Sequence, residues 1–476
     1  MSDIQHPARR QVRHRGRRRW SGLAAALVAP SVLLAACSPG GGSTADGTSA
    51  PAASTSSAAA GEPVTLVVQS GNGGSDALLK GYAALNDAFE KAHPGVTVEF
   101  SVKNFNDLVN TLKLQLSGST VPDVTQVNQG YGSLGQLVSD QLVAPLDDAA
   151  AKYGWASRQS DTLVALNGRF SPDGKAMGSG SLYGVSATGA WVGLFMNKEV
   201  AQKVGVTAAP ATLAELEAAL QKAKDAKVVP LQYGTSDGGE PIWLFGNLLM
   251  ALGSPKLLTD VVNGADVQLP SEALAAATTL KKWADAGYFT PGADAFTSTD
   301  VMGKFAKGEG LFALNGSWNV FASATPQEAA KFTLVPFPTG TAGTSASIAT
   351  GDLPWSVPAK AAHADLAAQY IDFITDPANN ETWIANGQVP ASVSGTEAAA
   401  ITANSIVGVS ADAVSSWVAL QKSGTPLPYP DWATPTFYDT ISKSAQSLAA
   451  GKMTPEKFVA ALQADYGAFT AKRAGS

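Results

Sequence analysis

The sequence predicts an α/β protein with two lobes, each built on a mainly parallel sheet flanked by helices. Three observations favour this class. The chain has 476 residues, enough for two large domains. Strand-like segments alternate with single helices in its first half, and the same alternation returns later. Ligands of such sheets bind beyond the carboxyl ends of the strands, so loops at those ends are the first candidates for function.

The first lobe is predicted from residues 63–127. Residues 63–68 form a strand-like run, and the apolar residues that follow recur at helical spacing. A second strand is predicted over 96–102, a second helix after Phe105, and a short third strand over 123–127. Strands separated by single helices need right-handed crossovers, which produce a parallel sheet. The predicted core face of the first helix comprises Leu78, Tyr82, Leu85 and Phe89.

The second lobe is predicted from a repetition of this pattern further along the chain. Strands are predicted near 191–196 and 228–233, and helices near 213–224 and 242–252. These segments form a second α/β unit.

The N-terminal segment differs from the rest in charge. Residues 1–36 hold seven Arg and one acid. Their last part, residues 23–36, is a short apolar stretch, which is typical of an export signal rather than of a membrane span. Of the 33 Lys and Arg and 39 Asp and Glu in the chain, 26 and 38 remain after residue 36, a net charge of −12. That body lacks the basic surface that nucleic acid requires.

The only Cys, Cys37, ends the apolar stretch. Residues 34–37 read Leu-Ala-Ala-Cys, which resembles the lipobox of bacterial lipoproteins, where the Cys is acylated and becomes the first mature residue. Residues 38–62 contain no aromatic and no large aliphatic side chain, and they are therefore predicted to be a disordered tether. We interpret 1–36 as a lipoprotein signal peptide, exported by a general or a twin-arginine route, and 37–62 as the lipidated Cys and its tether.

The residues of the body exclude several kinds of chemistry. One Cys forms no disulfide within the chain, and only His93 and His363 lie outside the leader, which leaves no zinc or metalloprotease motif. No Gly-rich loop ends in Gly-Lys-Ser/Thr, and residues 71–76 lack the third Gly of a dinucleotide fingerprint. We predict no cofactor and no metal.

Two enzymatic alternatives remain. Residues 234–238 read Gly-Thr-Ser-Asp-Gly, which fits a nucleophile elbow, but the base would have to be His363, which lies in an Ala-rich helix start. The simpler interpretation is a loop between a strand and a helix, which either faces a ligand or only connects the two elements. A glycosidase using two carboxylates is the other alternative, although no motif marks an acid pair.

Tryptophan residues in loops are the main positive signal. Trp191, Trp318, Trp355 and Trp432 lie beside Gly, Ser, Pro or Asp, whereas Trp283 and Trp383 lie on helices and are predicted to be structural. Flat rings next to short polar side chains suit a sugar, which needs a stacking surface and hydroxyl partners.

Several ordered segments resemble the sugar-binding type of bacterial extracellular solute-binding proteins, family 1, typified by maltose-binding protein and serving ABC importers. The segments are FEKAHPGVTVEF, PDVTQVN, LGQLVSDQLVAPLDD, LYGVSATGAWVGLFMNKEVAQKVGV, GKFAKGEGLFALNGSWN, VPFPTG, YIDFITDPANNETW and LAAGKMTPEKFVAALQADY. The resemblance implies a monomeric receptor, anchored outside the cytoplasmic membrane, that captures a solute by hinge closure and delivers it to a permease with a separate ATPase. It implies no enzymatic activity.

The resemblance also implies lobe boundaries and site residues. Crossing strands near 186–191, near 335–337 and after Tyr370 would join lobe 1, residues 63–187 with 337–370, to lobe 2, residues 188–336 with 371–476. The residues expected at the cleft, including the hydroxyl partner Asn319, are Gln126, Asn128, Thr188, Trp191, Trp318, Asn319, Gly351, Asp352 and Trp355.

The residues favour a neutral mono- or oligosaccharide as the solute. The alternative is glycerol 3-phosphate or a glycerophosphodiester, but no Arg accompanies the loops named above, and the nearest Lys is Lys198. Backbone amides of residues 71–74 remain a possible phosphate site. An adhesion or scaffold protein, a third class, would bind no small molecule.

Overall fold

The structure is a computed structural model, and it describes residues 62–73, 75–264, 268–320, 325–339 and 346–474. The predicted export signal, Cys37 and residues 37–61 of the predicted tether lie outside the described residues. Within the described part, no helix combines the length and the apolar character that crossing a bilayer requires.

Two sheets carry most of the strands. A separate small hairpin pairs β4 with β5. The strands are β1 (Val64–Ser70), β2 (Val96–Val102), β3 (Val124–Gln126), β4 (Arg169–Phe170), β5 (Ser181–Leu182), β6 (Gly189–Asn197), β7 (Leu231–Gln232), β8 (Phe312–Gly316), β9 (Phe332–Pro336), β10 (Ala346–Gly351), β11 (Trp355–Ser356) and β12 (Thr425–Leu427).

Helices cover both sheets. They are α1 (Asp76–Ala92), α2 (Phe105–Ser117), α3 (Leu134–Ser139), α4 (Asp147–Tyr153), α5 (Asp161–Gly168), α6 (Lys198–Lys203), α7 (Leu213–Asp225), α8 (Gly239–Leu252), α9 (Pro255–Asn263), α10 (Glu272–Asp285), α11 (Ser298–Ala306), α12 (Pro326–Ala329), α13 (Ala364–Thr375), α14 (Asn380–Ala385), α15 (Glu397–Ala403), α16 (Val409–Ser423), α17 (Phe437–Ala449) and α18 (Pro455–Ala474).

The first sheet has the order β11-β3-β1-β2. β1 pairs in parallel with both β2 and β3, as the alternation of strands and helices predicts. β11 joins the edge of β3 in the antiparallel direction. The predicted core residues of α1 are all buried, and Tyr82 makes edge-to-face contacts with Trp355 and Trp383, with ring centroids 5.3 and 4.9 Å apart.

The second sheet has the order β12-β10-β6-β8-β7, with β9 also paired to β6. We expected a mainly parallel sheet here, but β6 is antiparallel to β8, β9 and β10, and only β7 with β8 and β10 with β12 are parallel. β6 is long enough for one half to pair with β9 and the other half with β10, so two returning strands share one edge.

β6 is buried along its whole length. Trp191 and Phe195 belong to one apolar cluster, and Val192 and Leu194 belong to another, as the alternation of side chains along a strand requires. A strand covered on both faces reads as a continuous apolar run, which is how residues 191–196 appear in the sequence.

The chain passes between the sheets next to β6 and β10. Val185 bridges to Trp355 beside the first sheet, and four residues later β6 begins in the second. The return passage lies between Gly351, which pairs with Gly189, and Trp355, which pairs with Gln126. The predicted crossing at 335–337 is therefore displaced, because residues 332–336 pair with β6 as β9. The lobe boundaries themselves stay a prediction.

The third predicted crossing, after Tyr370, falls inside α13. Ile371 and Ile374 continue the apolar cluster of the first sheet, and Trp383 of α14 belongs to the same cluster. The chain reaches the second sheet only near Pro390, which bridges to Thr188. The helical spacing of apolar residues beyond Tyr370 explains why this segment stays with the first sheet.

Candidate ligand-binding cleft

A cavity of about 470 Å³ opens where strands of both sheets end. Its lining residues follow β1, β2, β3, β8 and β10, and they also come from the start of α8 and from the segment before and into α17. This position agrees with the expectation for open α/β sheets, and the volume is typical of a small-molecule site. The lining residues are Gly71, Asn72, Ser75, Asn104, Phe105, Asn106, Asn128, Gln129, Ala190, Asp237, Gly239, Ile242, Trp243, Thr297, Ser298, Thr299, Trp318, Asn319, Thr350, Gly351, Asp352, Leu353, Tyr429, Asp431, Trp432 and Tyr438.

Five of the predicted site residues line this cavity. They reach it from β3, β8 and β10, three strands that are distant in sequence. These residues are Asn128, Trp318, Asn319, Gly351 and Asp352.

Gln126 lies behind the cavity wall and is fully buried. Its side-chain oxygen accepts hydrogen bonds from Ser70 Oγ at 2.8 Å, from the Gly71 amide at 2.9 Å and from Asn72 Nδ2 at 2.9 Å. Its nitrogen donates to Tyr82 Oη at 3.3 Å and to the Leu353 carbonyl at 3.1 Å. Gln126 therefore positions the loop after β1, although it does not itself line the cavity.

The loop at Gly351 and Asp352 is held from several sides. Asn72 Nδ2 donates to Asp352 Oδ2 at 3.1 Å, and Gln129 Nε2 donates to the Gly351 carbonyl at 2.9 Å. The amide of Asp352 donates to the carbonyl of Thr188 at 2.8 Å. The side chain of Thr188 is buried outside the cavity, so this residue supports the loop through its backbone.

Trp191 and Trp355 do not reach the cavity. Both side chains are fully buried, with Trp191 Nε1 donating to the Ala413 carbonyl at 3.0 Å and Trp355 Nε1 donating to Tyr82 Oη at 3.1 Å. Gly and Pro residues nearby in the sequence indicated loops, although residues 191–196 also predicted a strand, and both Trp residues lie in buried strands. The structure thus corrects their predicted stacking role.

Trp318 and Trp243 form an aromatic corner in the cavity. Their ring centroids are 5.5 Å apart and their planes meet at 74°. Trp318 lies over Gly316, where an added Cβ would come within 2.1 Å of the indole ring. Gly316 is therefore required for the orientation of the Trp318 ring.

Trp432 and Tyr429 form a second aromatic pair, with ring centroids 5.3 Å apart. Trp432 packs over Gly130, which has a φ of +77° and would carry a Cβ only 2.7 Å from Trp432 Cβ. Glycine at this position permits both the left-handed backbone and the close approach.

Some cavity residues were not predicted as site residues. Phe105 matched the apolar face of its helix, yet it is exposed at the cavity. Trp432 belongs to the Trp residues that the sequence places in loops, and the polar residue next to it, Asp431, is the sequence feature that could have indicated a ligand-facing position. The sequence carried no comparable signal for Trp243, Tyr429 and Tyr438. The lining residues that the sequence did not predict include Asp237, Trp243, Tyr429, Asp431, Trp432 and Tyr438.

The cavity is acidic. Asp237, Asp352 and Asp431 line it, and no Lys, Arg or His is among the described residues that do so. Burial raises the pKa of all three carboxyl groups, for Asp431 to about 7. Burial and then the charges of Asp352 and Asp431 raise the pKa of Tyr429. Among the described residues no cluster of three His, Cys, Asp or Glu is arranged to hold a metal ion.

The nucleophile elbow is not supported by the geometry. Ser236 is exposed, and its amide donates to the Phe296 carbonyl on the second-sheet side. His363 lies by the first sheet, with Nδ1 3.2 Å from Asp123 Oδ2. The neighbouring Asp237 and Gly239 line the cavity, so the strand-to-helix loop faces the ligand space instead.

The chain matches the family model described as bacterial extracellular solute-binding protein over residues 72–381. It belongs to this family, as the ordered segments of the sequence predicted. Membership places the chain among solute-binding proteins and not among enzymes.

Relatives and solved structures agree with this assignment. A binding protein of Brucella abortus (strain 2308) is 26% identical over 239 residues, or 48% of this chain and 52% of the relative. The counterpart from Brucella suis biovar 1 (strain 1330) matches to the same extent. The chain therefore spans about half the length of the curated relatives it matches.

Among solved structures, a chitin oligosaccharide binding protein has a TM-score of 0.71 at 20% identity, covering 86% of this chain and all of the other. The GacH receptor of Streptomyces glaucescens GLA.O has a TM-score of 0.69 at 20% identity, covering 86% and 98% of the two chains. These similarities confirm the predicted two-lobe fold of the periplasmic-binding-protein type.

Proposed function

We propose that this protein is the substrate-binding subunit of an ABC importer and that it captures a mono- or oligosaccharide. The observation that carries the proposal is the aromatic corner of Trp318 and Trp243 beside amide side chains such as Asn128 and Asn319. The rings offer stacking surfaces for the C–H faces of a sugar, and the amides offer both donors and acceptors for its hydroxyls.

The names of structurally similar proteins support a sugar. One is a chitin oligosaccharide binding protein, one is a receptor crystallised with acarbose, and one is a solute receptor with a preference for β-D-galactopyranose. The last has a TM-score of 0.69 at 19% identity.

A neutral solute is favoured over glycerol 3-phosphate or a glycerophosphodiester. The three carboxyl groups of the cavity would repel a phosphate, and no cationic side chain of the described residues lines it. The amides of Gly71, Asn72 and Gly73 already donate to Gln126 Oε1, Ser70 Oγ and the Lys103 carbonyl. They are therefore not free to form a phosphate nest.

We propose that the solute is enclosed by movement of the lobes about the passages beside β6 and β10. Ser75 Oγ donates to the Trp318 carbonyl at 3.4 Å, a contact between the first-sheet and second-sheet sides of the cavity. A solute that touches both sides stabilises the closed state over the open one. Small-angle scattering should give a smaller radius of gyration with saturating sugar, and an unchanged curve would contradict closure.

Calorimetry on residues 62–476 tests the solute class. We expect binding of at least one neutral saccharide and no binding of glycerol 3-phosphate or glycerophosphocholine. A thermal-shift screen should find the saccharide first, because a ligand at 100 times its dissociation constant adds about 2.7 kcal/mol of stability. Binding of glycerophosphocholine with no saccharide would overturn the proposal. Turnover of chromogenic sugars or esters would instead indicate an enzyme.

We further propose that Cys37 is acylated and holds the body outside the cytoplasmic membrane, close to a permease with a separate ATPase. Cys37→Ala should move the protein from the membrane fraction to the soluble fraction, whereas Ser38→Ala should not. Equal recovery of the Cys37→Ala variant and the wild type in membranes would contradict the anchor.

A further inference from the structure

The acidic groups of the cavity have no cationic partner among the residues that the structure describes. Neither Asp237, Asp352 nor Asp431 forms an ion pair with a described Lys, Arg or His, and the side chain of Asp431 makes no hydrogen bond to another described residue. The internal stretches between residues 62 and 474 that the structure does not describe contain no basic residue in the sequence. The described part of the body therefore supplies no cationic side chain to this wall.

Buried oxygen atoms without partners lie at the Asp237 end of the cavity. Asp237 Oδ1 has no hydrogen-bond partner among the described residues, and neither does Oε2 of Glu240, whose side chain is fully buried. Asn315 Nδ2 donates at 3.4 Å to both Glu240 Oε1 and Ser298 Oγ, and Ser298 lines the cavity. Glu240 therefore lies one side chain behind the wall. A buried oxygen without a partner is costly, so Asp237 Oδ1 points to a hydroxyl donor that arrives with a ligand. Glu240 lies out of reach of a ligand, and burial raises the pKa of its carboxyl group well above the ordinary value.

Three aromatic residues, Tyr429, Trp432 and Tyr438, line the cavity together with Asp431. Burial is the main cause of the raised pKa of Tyr429 and of Tyr438, and the charge of Asp431 adds to it in both. A carboxylate among aromatic faces is a favourable environment for an organic cation, because the ring faces and the carboxylate both carry negative potential.

We infer that the preferred saccharide carries a protonated amine, and that Asp431 is its counter-ion in the cavity. The inference rests on the proposed function and names the substrate class more closely. The Trp318 and Trp243 corner stacks the sugar, as for a neutral saccharide, and the ammonium group replaces one hydroxyl next to Asp431. Asp352 and Asp237 add to the negative electrostatic potential in the cavity, but they do not contact the ammonium group.

Other ligand chemistries suit the wall less well. A neutral saccharide leaves the carboxylates without a counter-charge, and an anion is repelled by them. A metal ion lacks a set of three suitable side chains among the described residues. A protonated amine supplies the positive charge that this acidic wall lacks, together with several N–H donors for Asp431.

The test compares sugars that share a skeleton and differ only in the substituent at C2 of each ring. The series are glucose, N-acetylglucosamine and glucosamine; galactose, N-acetylgalactosamine and galactosamine; and cellobiose with N,N′-diacetylchitobiose and its fully deacetylated form. By calorimetry at pH 6.5, the amine should bind about tenfold more tightly than its acetylated partner in each series that binds, as expected for one charge-assisted hydrogen bond.

The Asp431→Asn variant identifies the group responsible. It should reduce the preference for the amine to less than about threefold, while neutral sugars keep their affinity within about twofold. The matched control is Asp439→Asn, because Asp439 is an exposed carboxylate of α17 that pairs with Lys443 and does not line the cavity. This control should keep the full preference.

Each outcome bears on one proposal. Amines that bind no more tightly than their acetylated partners would overturn the inference and leave the proposed function intact, and so would an unchanged preference in Asp431→Asn. Binding of choline or glycine betaine with no binding of any sugar would overturn the proposed function.

The pH dependence gives an independent readout. The groups that face the ligand space and titrate are Asp237, Asp352 and Asp431 with Tyr429 and Tyr438, and Glu240 lies behind Asp237. Because the pKa of Asp431 is about 7, affinity for the amine should rise between pH 5.5 and 7 as this carboxyl group ionises. In Asp431→Asn this rise should largely disappear, and an equal rise in the variant would contradict the role of Asp431.

Discussion

The two sides of the cavity are built on different principles. The first-sheet side presents amide and hydroxyl groups, and the Asn72 loop there is held by Gln126 through three hydrogen bonds. The second-sheet side presents Trp318, Trp243 and Asp431, and no side chain of another described residue bonds to that carboxyl group. The first side is therefore organised before a ligand arrives, whereas the second side keeps aromatic rings and a carboxyl group available for it.

The largest effect on stability is expected where the first side is held together. Gln126→Ala removes the acceptor for Ser70 Oγ and the Gly71 amide, which are buried, and for Asn72 Nδ2, which is partly buried. Because buried donors are left without partners, we expect a loss of about 3 kcal/mol in the free energy of unfolding, measured by urea denaturation. Gln129→Ala, which loses a bond to the Gly351 carbonyl, should cost less, and an equal loss in both variants would show that Gln126 has no special role.

The next effect concerns ligand binding on the second side. Trp318→Ala removes one wall of the aromatic corner and should weaken sugar binding by about 2 kcal/mol, or roughly 30-fold, while Trp318→Phe keeps most of the affinity. Calorimetry with the best saccharide from the screen measures both. Sugar affinity that stays unchanged in Trp318→Ala would remove the stacking role.

Gly316→Ala should change the orientation of the Trp318 ring without removing the ring. The added Cβ must displace the Trp318 indole, since it would lie 2.1 Å from the ring. We expect about a tenfold loss of sugar affinity with little change in the circular dichroism spectrum. Full sugar affinity in this variant would show that the orientation of the ring is unimportant.

A smaller effect is expected on the dependence of stability on pH. Burial raises the pKa of Asp431 to about 7, so the folded state binds more protons than the unfolded state between pH 4 and 7. Its destabilising contribution is therefore absent below pH 4, grows as the pH rises through that window, and is complete above pH 7. Since the side chain is partly exposed, we expect Asp431→Asn to stabilise the protein by about 1 to 2 kcal/mol at pH 8 and by nothing at pH 4.

Urea denaturation at the two pH values measures this difference. Asp439→Asn, whose carboxylate is exposed, should show no pH-dependent gain. A gain for Asp431→Asn that is the same at pH 4 and pH 8 would contradict the burial of the charge.

The smallest effect is expected at the contact between the two sides. Ser75→Ala removes the hydrogen bond to the Trp318 carbonyl, which is long at 3.4 Å, and should weaken sugar binding by about 0.5 kcal/mol. The readout is the ligand dissociation rate, which should increase about twofold. A change of more than tenfold would indicate that this contact controls closure.

The local structure was largely predictable from the sequence. The apolar spacing of α1 and the alternation in β2 are local patterns, and both elements form as predicted. The family was predicted because several weak segments occur in a fixed order, and the family model confirms it. The position of the cavity at strand ends followed from the fold class alone.

The choice among the tryptophans was not predictable in this way. Trp191 and Trp318 each follow a Gly by two residues, yet β6 is covered on both faces and buries Trp191, while Trp318 follows the end of β8. Whether a ring beside Gly or Ser faces a ligand depends on which strands pair around it. That information lies in residues far away in the chain.

The sequence by itself determined the alternation of elements, the apolar faces of the helices and the acidic charge of the body, because each depends on neighbouring residues or on composition. Only the tertiary structure decided that Asp237, Asp352 and Asp431, which are 194 residues apart at the extremes, line one cavity together with Trp318 and Trp432. The reason is physical. Side chains from separate strands and helices together set the electrostatic field and the shape of a cleft. Strand pairing places those side chains next to one another.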